Sequence, residues 1–416
     1  MTTSTASDTS RSEAGILPLL PVYTVVFVGF VGYSLMIAVF TPMLLDAHGG
    51  MVPSDSPMAQ RTIILGVLLS LYPLGQFFGS PVLGALSDRY GRKPTLLASL
   101  AITTACYALI SIALGVGRLT LLMAASLVAG LSEANIVIAQ SAIADITTAE
   151  NRNRLFGYIY LSSSLAYVVG PLAGGKLADP TIVSWFNYAT PFWAVFGLLV
   201  VTLLWTAVVF RETHRARAGE PISYSAAFVN LLGVFNDRRL RWLYLVNFLV
   251  YLAVFGFFRC YPMYLVDQFK LNVSRVSEFI AWVAVPIVIA NLWLTDFVSR
   301  RISTRNMVIV SAALTGFFMI TITVPPQLGA LWVTLFLTAL SLAICLPACA
   351  TMISVSVGAE EQGRVMGNNQ SLQVGAEALS GLIGGLLAAV IVKLPLIVLA
   401  LVAISAAAML WGREPR

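Results

Sequence analysis

Long apolar runs alternate with short polar breaks along the whole chain. A helix needs about 20 mostly apolar residues to cross a bilayer. Read on that scale, the runs predict membrane spans over Leu17–Leu45, Thr62–Leu83, Thr95–Leu114, Leu119–Ala142, Leu155–Leu177 and Thr190–Phe210. After a polar stretch, six more follow: Arg241–Val266, Val276–Leu294, Met307–Val324, Leu328–Val355, Val365–Val392 and Pro395–Leu410. The expectation is an all-α membrane protein with twelve transmembrane helices.

The polar stretch divides the chain into residues 17–210 and 241–410, each a six-helix bundle, joined by a cytoplasmic linker over 211–240. Residues 1–16 are Ser/Thr-rich and lack a basic start, an apolar core and a cleavage site. They are therefore read with 411–416 as cytoplasmic tails, not as a signal peptide. The halves also repeat. A constant offset of 210 positions pairs Glu150 with Glu360, Arg154 with Arg364, Gly157 with Gly367, and Gly174-Gly175 with Gly384-Gly385. Two pseudo-symmetric bundles from a duplicated unit are the mark of a transporter whose site lies between them.

Composition narrows the class. Hydrophobic residues make up 58% of the chain and charged residues 11%, against about 25% charged in an ordinary soluble domain. So much apolar sequence excludes a plain cytosolic enzyme. The basic residues set the orientation. With residue 1 inside, 18 Lys and Arg fall at cytoplasmic positions, 6 at outer positions, and Arg259 lies within a span. This bias predicts a multi-pass protein of the cytoplasmic (inner) membrane with both termini in the cytoplasm. The net charge of +6 reflects that topology and does not point to nucleic acid, because the basic residues sit in separate short loops.

No cofactor or metal is expected. Cys106, Cys260, Cys345 and Cys349 lie in apolar runs, and His48 and His214 lie in loops away from them, so the cysteines read as packing residues. No P-loop, zincin pair or G-x-S-x-G elbow appears, so neither ATP-driven pumping nor an intramembrane enzyme is favoured. A channel is not favoured either, since no filter-like ring repeat is visible.

One loop is more ordered than a topology signal needs. It reads Gly84-Ala85-Leu86-Ser87-Asp88-Arg89-Tyr90-Gly91-Arg92-Lys93-Pro94. Gly84 permits close helix approach, Gly91 a tight turn, and Pro94 suits the first turn of the next helix. Asp88 can bind Arg side chains or helix-end N–H groups. This run closely resembles the loop motif of the major facilitator superfamily. Leu71-Tyr72-Pro73-Leu74-Gly75-Gln76-Phe77-Phe78-Gly79-Ser80-Pro81, just before it, resembles the second helix of the drug:proton antiporter branch that includes tetracycline efflux pumps.

The resemblance implies a conformational latch of Gly84, Asp88, Arg89, Gly91 and Arg92, with Asp145 as the acid after the fourth helix. The weaker second copy keeps Asp296 and Arg300 but lacks the glycines, which implies an asymmetric latch. In the fifth helix, Gly170-Pro171-Leu172-Ala173-Gly174-Gly175 resembles the family's antiporter motif, with Ala166 where one further Gly is expected. Two departures stand out. The family's fourth-helix Arg, four residues before Gly130, is Ser126 here, and the first helix carries no acid.

Three ionisable residues remain deep in the spans: Glu133, Arg259 and Glu377. A charge at bilayer depth costs at least ~2.5–3.5 kcal/mol, so each needs a partner or a wet cavity. Either glutamate could form a structural pair with Arg259 or serve as a proton-coupling site. Arg259 could equally be a gate or an anion contact. In the family's fold, helices 1, 4, 7 and 10 line the central cavity, which adds Tyr33, Asn135, Asn247, Tyr251 and Cys345 as lining candidates. Neighbouring helices add Tyr160, Tyr167, Trp282, Gln370 and Gln373. The expected protein is a secondary transporter working by alternating access. It acts as a monomer in the lipid bilayer and exports a drug-like or metabolite small molecule in exchange for protons. The alternative is a dedicated siderophore, sugar or amino-acid transporter, importer or facilitator.

Overall fold

The computed structural model describes residues 19–46, 50–133, 135–146, 152–213, 240–324 and 327–412. Within these ranges it is helical, with no strand. Among the described residues, twelve helices are long and apolar enough to cross a membrane. They are α1 (Leu20–Leu45), α2 (Met58–Tyr90), α3 (Arg92–Gly115), α4 (Leu119–Ser132 continued by Asn135–Ile146), α5 (Arg152–Leu177) and α6 (Thr190–Val209). The second set is α7 (Arg241–Phe269), α8 (Val273–Ile289 continued through Ser299), α9 (Thr304–Ile322), α10 (Leu328–Ser354), α11 (Ala359–Ala388) and α12 (Leu394–Trp411).

The spans agree with the hydropathy pattern, but several ends and two interiors do not. α2 runs past the predicted Leu83 to Tyr90, and α11 starts before Val365. Hydropathy detects only the apolar part of a helix, and these helices continue on polar residues. α2 stops where the chain needs a left-handed turn, at Gly91 with φ 103°. α4, expected to be continuous, breaks after Ser132; Glu133 leaves helical geometry at φ −92°, ψ 23°. α8 carries a π-helical turn over Ala290–Leu294, just after Pro286. Pro286 has no N–H to give its own turn, and such local adjustments take up the mismatch.

Helices α1–α6 pack mainly among themselves, through α1 with α5 and α6, α2 with α4, and α3 with α4 and α6. Helices α7–α12 do the same, through α7 with α11 and α12, α9 with α10 and α12, and α8 with α10. The two bundles meet along α2–α11, α5–α8 and α1–α7. These contacts gather away from the end of the molecule that holds Glu212 and Leu240, here termed the linker end.

At the far end, the junctions are made by glycines. A Cβ on Gly385 of α11 would stand 2.6 Å from the Thr62 carbonyl oxygen and 2.7 Å from Gly66 Cα of α2. The pseudo-symmetric Gly175 of α5 lies against Ser277 and the Val273 carbonyl of α8. Small residues let backbones touch, which is how membrane helices pack when lipid gives no hydrophobic drive. Beside them Lys176 bonds Ser274 and Glu278, both at 2.7 Å, and Asn272 donates to Asp179 at 3.3 Å. The far end is thus sealed across both junctions.

A bulkier residue in either junction should open this seal. Overpacking costs roughly 1–3 kcal/mol, enough to shift a two-state balance by about fivefold or more. Gly385→Val is expected to lower the yield of a disulfide between cysteines placed at Lys176 and Glu278, without loss of membrane insertion. An undiminished yield would show that the seal does not depend on this approach.

Candidate functional site

The buried acids sit where glycines make room. Gly75 and Gly79 of α2 lie against the backbone of Leu127–Leu131, and Gly130 of α4 lies against the Tyr72 carbonyl. A Cβ on Gly75 would approach the Leu131 nitrogen to 2.6 Å. This backbone contact carries Tyr72 to Glu133, and its hydroxyl donates to Glu133 Oε2. On the other side, Gly29 of α1 leaves the space that Glu133 Oε1 occupies, and Gly32 leaves space for Tyr107. Glu133 is 5% exposed. Its Oε1 has no protein hydrogen-bond partner, and no ion pair reaches it among the described residues. A small cavity opens here, lined by Gly29, Phe30, Tyr33, Tyr72, Gln76 and Glu133.

Glu377 is answered differently. Arg259, 1% exposed, pairs with it at 3.3 Å. Arg259 Nη2 also donates to the Tyr33 hydroxyl at 2.5 Å, and that hydroxyl donates in turn to Glu377 Oε1. Arg259 and Glu377 belong to the second bundle and Tyr33 to the first, so the cluster bridges the two. The Tyr33 ring stacks on Tyr72, with centroids 4.7 Å apart and planes 20° from parallel. Tyr167 of α5 meets it edge-on at 6.4 Å. The two acids are therefore joined through a tyrosine pair: Glu133 with Tyr72, Tyr72 with Tyr33, and Tyr33 with Glu377.

Other expected lining groups go elsewhere. Asn247 donates to the Cys349 carbonyl at 3.1 Å and to Asn369 at 3.0 Å, and Asn369 donates to the Tyr251 hydroxyl at 2.7 Å. That network is buried inside the second bundle and holds α7, α10 and α11 together. Trp282 donates its indole N–H to the Trp332 carbonyl at 2.9 Å, between α8 and α10 and apart from the acids. Gln370 is exposed, Gln373 half-buried and Cys345 buried. The side chains of Asn135 and Tyr160 lie outside the described residues.

The ordered loop is a compact ionic cluster at the linker end. Arg92 is 5% exposed. It pairs with Asp88 at 2.5 Å and Asp145 at 2.9 Å, and donates to Ser87 at 2.7 Å. Glu212, just past α6, accepts from the backbone N–H groups of Arg92 and Lys93 at 2.9 and 3.0 Å. It thereby caps the start of α3, where a carboxylate suits the exposed N–H groups. Gly91 is needed twice, for its positive φ and because a Cβ would stand 2.6 Å from Glu212 Oε2. Arg89 lies over the Tyr90 ring at 5.4 Å, and Gly84 faces Val137 of α4. Apart from Glu212 at the start of the 211–240 linker, the described partners of this cluster belong to the first bundle. Its counterpart, Asp296–Arg300 at 2.8 Å, is a solvent-exposed pair within one helix turn.

The fifth-helix motif is a packing device on two faces. Gly170 rests on Val31 and Ser34 of α1, and Gly174 on Leu35, where a Cβ would come within 2.9 Å. Gly175 turns the other way, onto α8. Pro171 sits inside α5 between these contacts. Sequence reasoning missed Tyr72, Gly29, Glu212, Asn369 and the Lys176–Glu278 pair as partners. The Gly75-x-x-x-Gly79 spacing in α2 was the one local signal that a close neighbour lay beside Tyr72.

Residues 22–300 and 243–416 match the sequence profile of the Major Facilitator Superfamily. Two curated relatives are tetracycline resistance proteins. That of class C from Escherichia coli is 29% identical over 81% of this chain and 85% of its own length. That of class G from Vibrio anguillarum is 30% identical over 79% of this chain and 84% of its own. Among solved structures, a D-xylose-proton symporter superposes with a TM-score of 0.74 at 13% identity, covering 95% of this chain and 98% of the other.

The ionic cluster predicts an order of effects. Asp145 is 20% exposed and Asp88 66%, and an exposed ion pair contributes little. Asp145→Asn is expected to lower the melting temperature of the detergent-solubilised protein more than Asp88→Asn. Hydrogen bonds to charged groups contribute about 1.5–3 kcal/mol when shielded from water. Equal melting temperatures for the two variants would count against Asp145 as the principal partner of Arg92.

Proposed function

The chain belongs to the Major Facilitator Superfamily, and from that premise we propose that it exports a drug-like small molecule in exchange for protons, by alternating access. The observation that carries this reading is Glu133: a carboxyl group deep in α4, bordering a cavity, with one oxygen unpartnered and no cation against it among the described residues. An ionised carboxylate in such a place is expensive. A proton removes the cost, and water or a substrate reaching the cavity makes release possible. The names of the tetracycline-resistance relatives support a drug-like substrate.

The basic residues support a cytoplasmic linker end, and cytoplasmic termini with it. In that orientation the sealed far end is the outer one. The protein acts as a monomer in the inner membrane, since both acids and both bundles belong to one chain. The Asp88–Arg92–Asp145 cluster serves as the latch of the first bundle, consolidating its inner end. Gly170, Pro171, Gly174 and Gly175 keep α5 against both α1 and α8, so that a shift of one bundle is felt at the other.

Transport in proteoliposomes with an imposed pH gradient, run against a compound panel that includes tetracycline, tests the reading. Glu133→Gln keeps the side chain's size but cannot exchange a proton. It is expected to abolish pH-driven accumulation while downhill exchange survives. Full accumulation by this variant would sink the assignment of Glu133 as the coupling site.

Glu377→Gln should behave differently, because it strands a buried arginine. Breaking a buried pair costs about 3–5 kcal/mol. The variant is expected to yield less folded protein, and adding Arg259→Gln should restore part of the yield. An unimpaired single variant would show that the pair is not structural.

A further inference from the structure

We propose that Tyr33 is a positioning residue that ties the cavity at Glu133 to the contact holding the two bundles together at mid-membrane. The inference rests on the alternating-access reading above and assigns its central lock to particular atoms.

Three observations carry it. First, the Tyr33 hydroxyl has its described partners in the opposite bundle: it accepts from Arg259 of α7 and donates to Glu377 of α11. All three residues are buried, at 3%, 1% and 7% exposure, so this contact is sheltered from solvent competition. Second, the ring of the same residue lines the Glu133 cavity and stacks on Tyr72, which holds Glu133. A group entering that cavity therefore meets the ring that carries the bridging hydroxyl. Third, the rest of the surroundings leave the ring few alternatives. Tyr167 closes one edge, and Tyr72 covers a face. A displaced ring takes its hydroxyl away from Glu377 and Arg259, because a tyrosine has no freedom to move one without the other.

By contrast, Tyr23, ten positions earlier on α1, donates to the Leu155 carbonyl at 3.1 Å within its own bundle. It offers a matched control: the same residue type on the same helix, with a buried hydroxyl bond that does not cross between bundles.

Ser277 supplies the readout. It is fully buried against Gly175 in the far-end seal, and Ser277→Cys changes its volume little. The rate at which an impermeant maleimide modifies this cysteine from the far side, corrected for labelling of the chain without the reporter, measures how often the seal opens. No substrate is needed, so failure here is distinct from failure to transport. Tyr33→Phe keeps the stacked ring and removes the hydroxyl. It is expected to raise the labelling rate at least about tenfold, since the hydroxyl's bonds to both Arg259 and Glu377 are lost. Tyr23→Phe should leave the rate unchanged. An unchanged rate in Tyr33→Phe, or an equal rise in both variants, would overturn the lock.

The tie to the cavity has its own arm. Glu133→Gln is expected to change the labelling rate when Tyr33 is present and to have no effect in the Tyr33→Phe chain, because the hydroxyl through which it acts is gone. No change in the first case, or the same change in both, would overturn the connection between cavity and lock.

Discussion

A carboxyl group inside a bilayer must be answered by the protein, because no solvent is at hand to do it. Most of what is specific about this structure follows from that constraint at two positions. Glu377 is answered by a cation, and the pair is completed by a hydroxyl from the other bundle. Among the described residues, Glu133 is answered by a hydroxyl alone. The first arrangement stabilises a charge; the second leaves a group whose charge depends on what else enters. Stacked tyrosines place the two within reach of each other, so that a fixed pair and a variable site share one small core.

The glycines explain how the chain brings backbone and polar groups this close together. Gly29, Gly75, Gly79 and Gly130 act near the first acid, and Gly66, Gly175 and Gly385 act where the bundles meet. Their shared role is to remove a side chain so that backbone, or a neighbour's polar group, can occupy the space. A membrane protein has little hydrophobic drive to press helices together. Close backbone approach takes its place, and it is unforgiving: a single Cβ at Gly385 would overlap the opposite helix.

Much of the fold was legible in the sequence, and the reasons show where legibility stops. Hydropathy located the twelve spans because the bilayer imposes both length and polarity on each. It missed the polar last turns of α2 and the first turns of α11, which are helical without being apolar. It also missed the break at Glu133, since an average over a span is blind to one residue leaving helical geometry. The acids and Arg259 stood out as charges in apolar runs, and the Asp88 loop by its spacing. Which acid took the arginine was not legible, nor was Tyr72 as the partner of Glu133. Those contacts join residues 61 to 344 positions apart, and no local pattern records them. Glu212 was hidden for the same reason: a helix cap supplied from another part of the chain has no signature beside the helix it caps. Asn247 and Tyr251 were identified as polar groups on the seventh helix, but helix register alone did not tell a cavity from a buried network with Asn369.

The anchoring of Glu212 on the start of α3 also bears on the tether between the bundles. It fixes where the connecting segment departs from the first bundle, beside Arg92 and Lys93. A carboxylate held by two N–H groups of α3 makes that point of departure and the start of α3 move as one piece, so any shift of the connection at this end is also a shift of the Arg92 cluster.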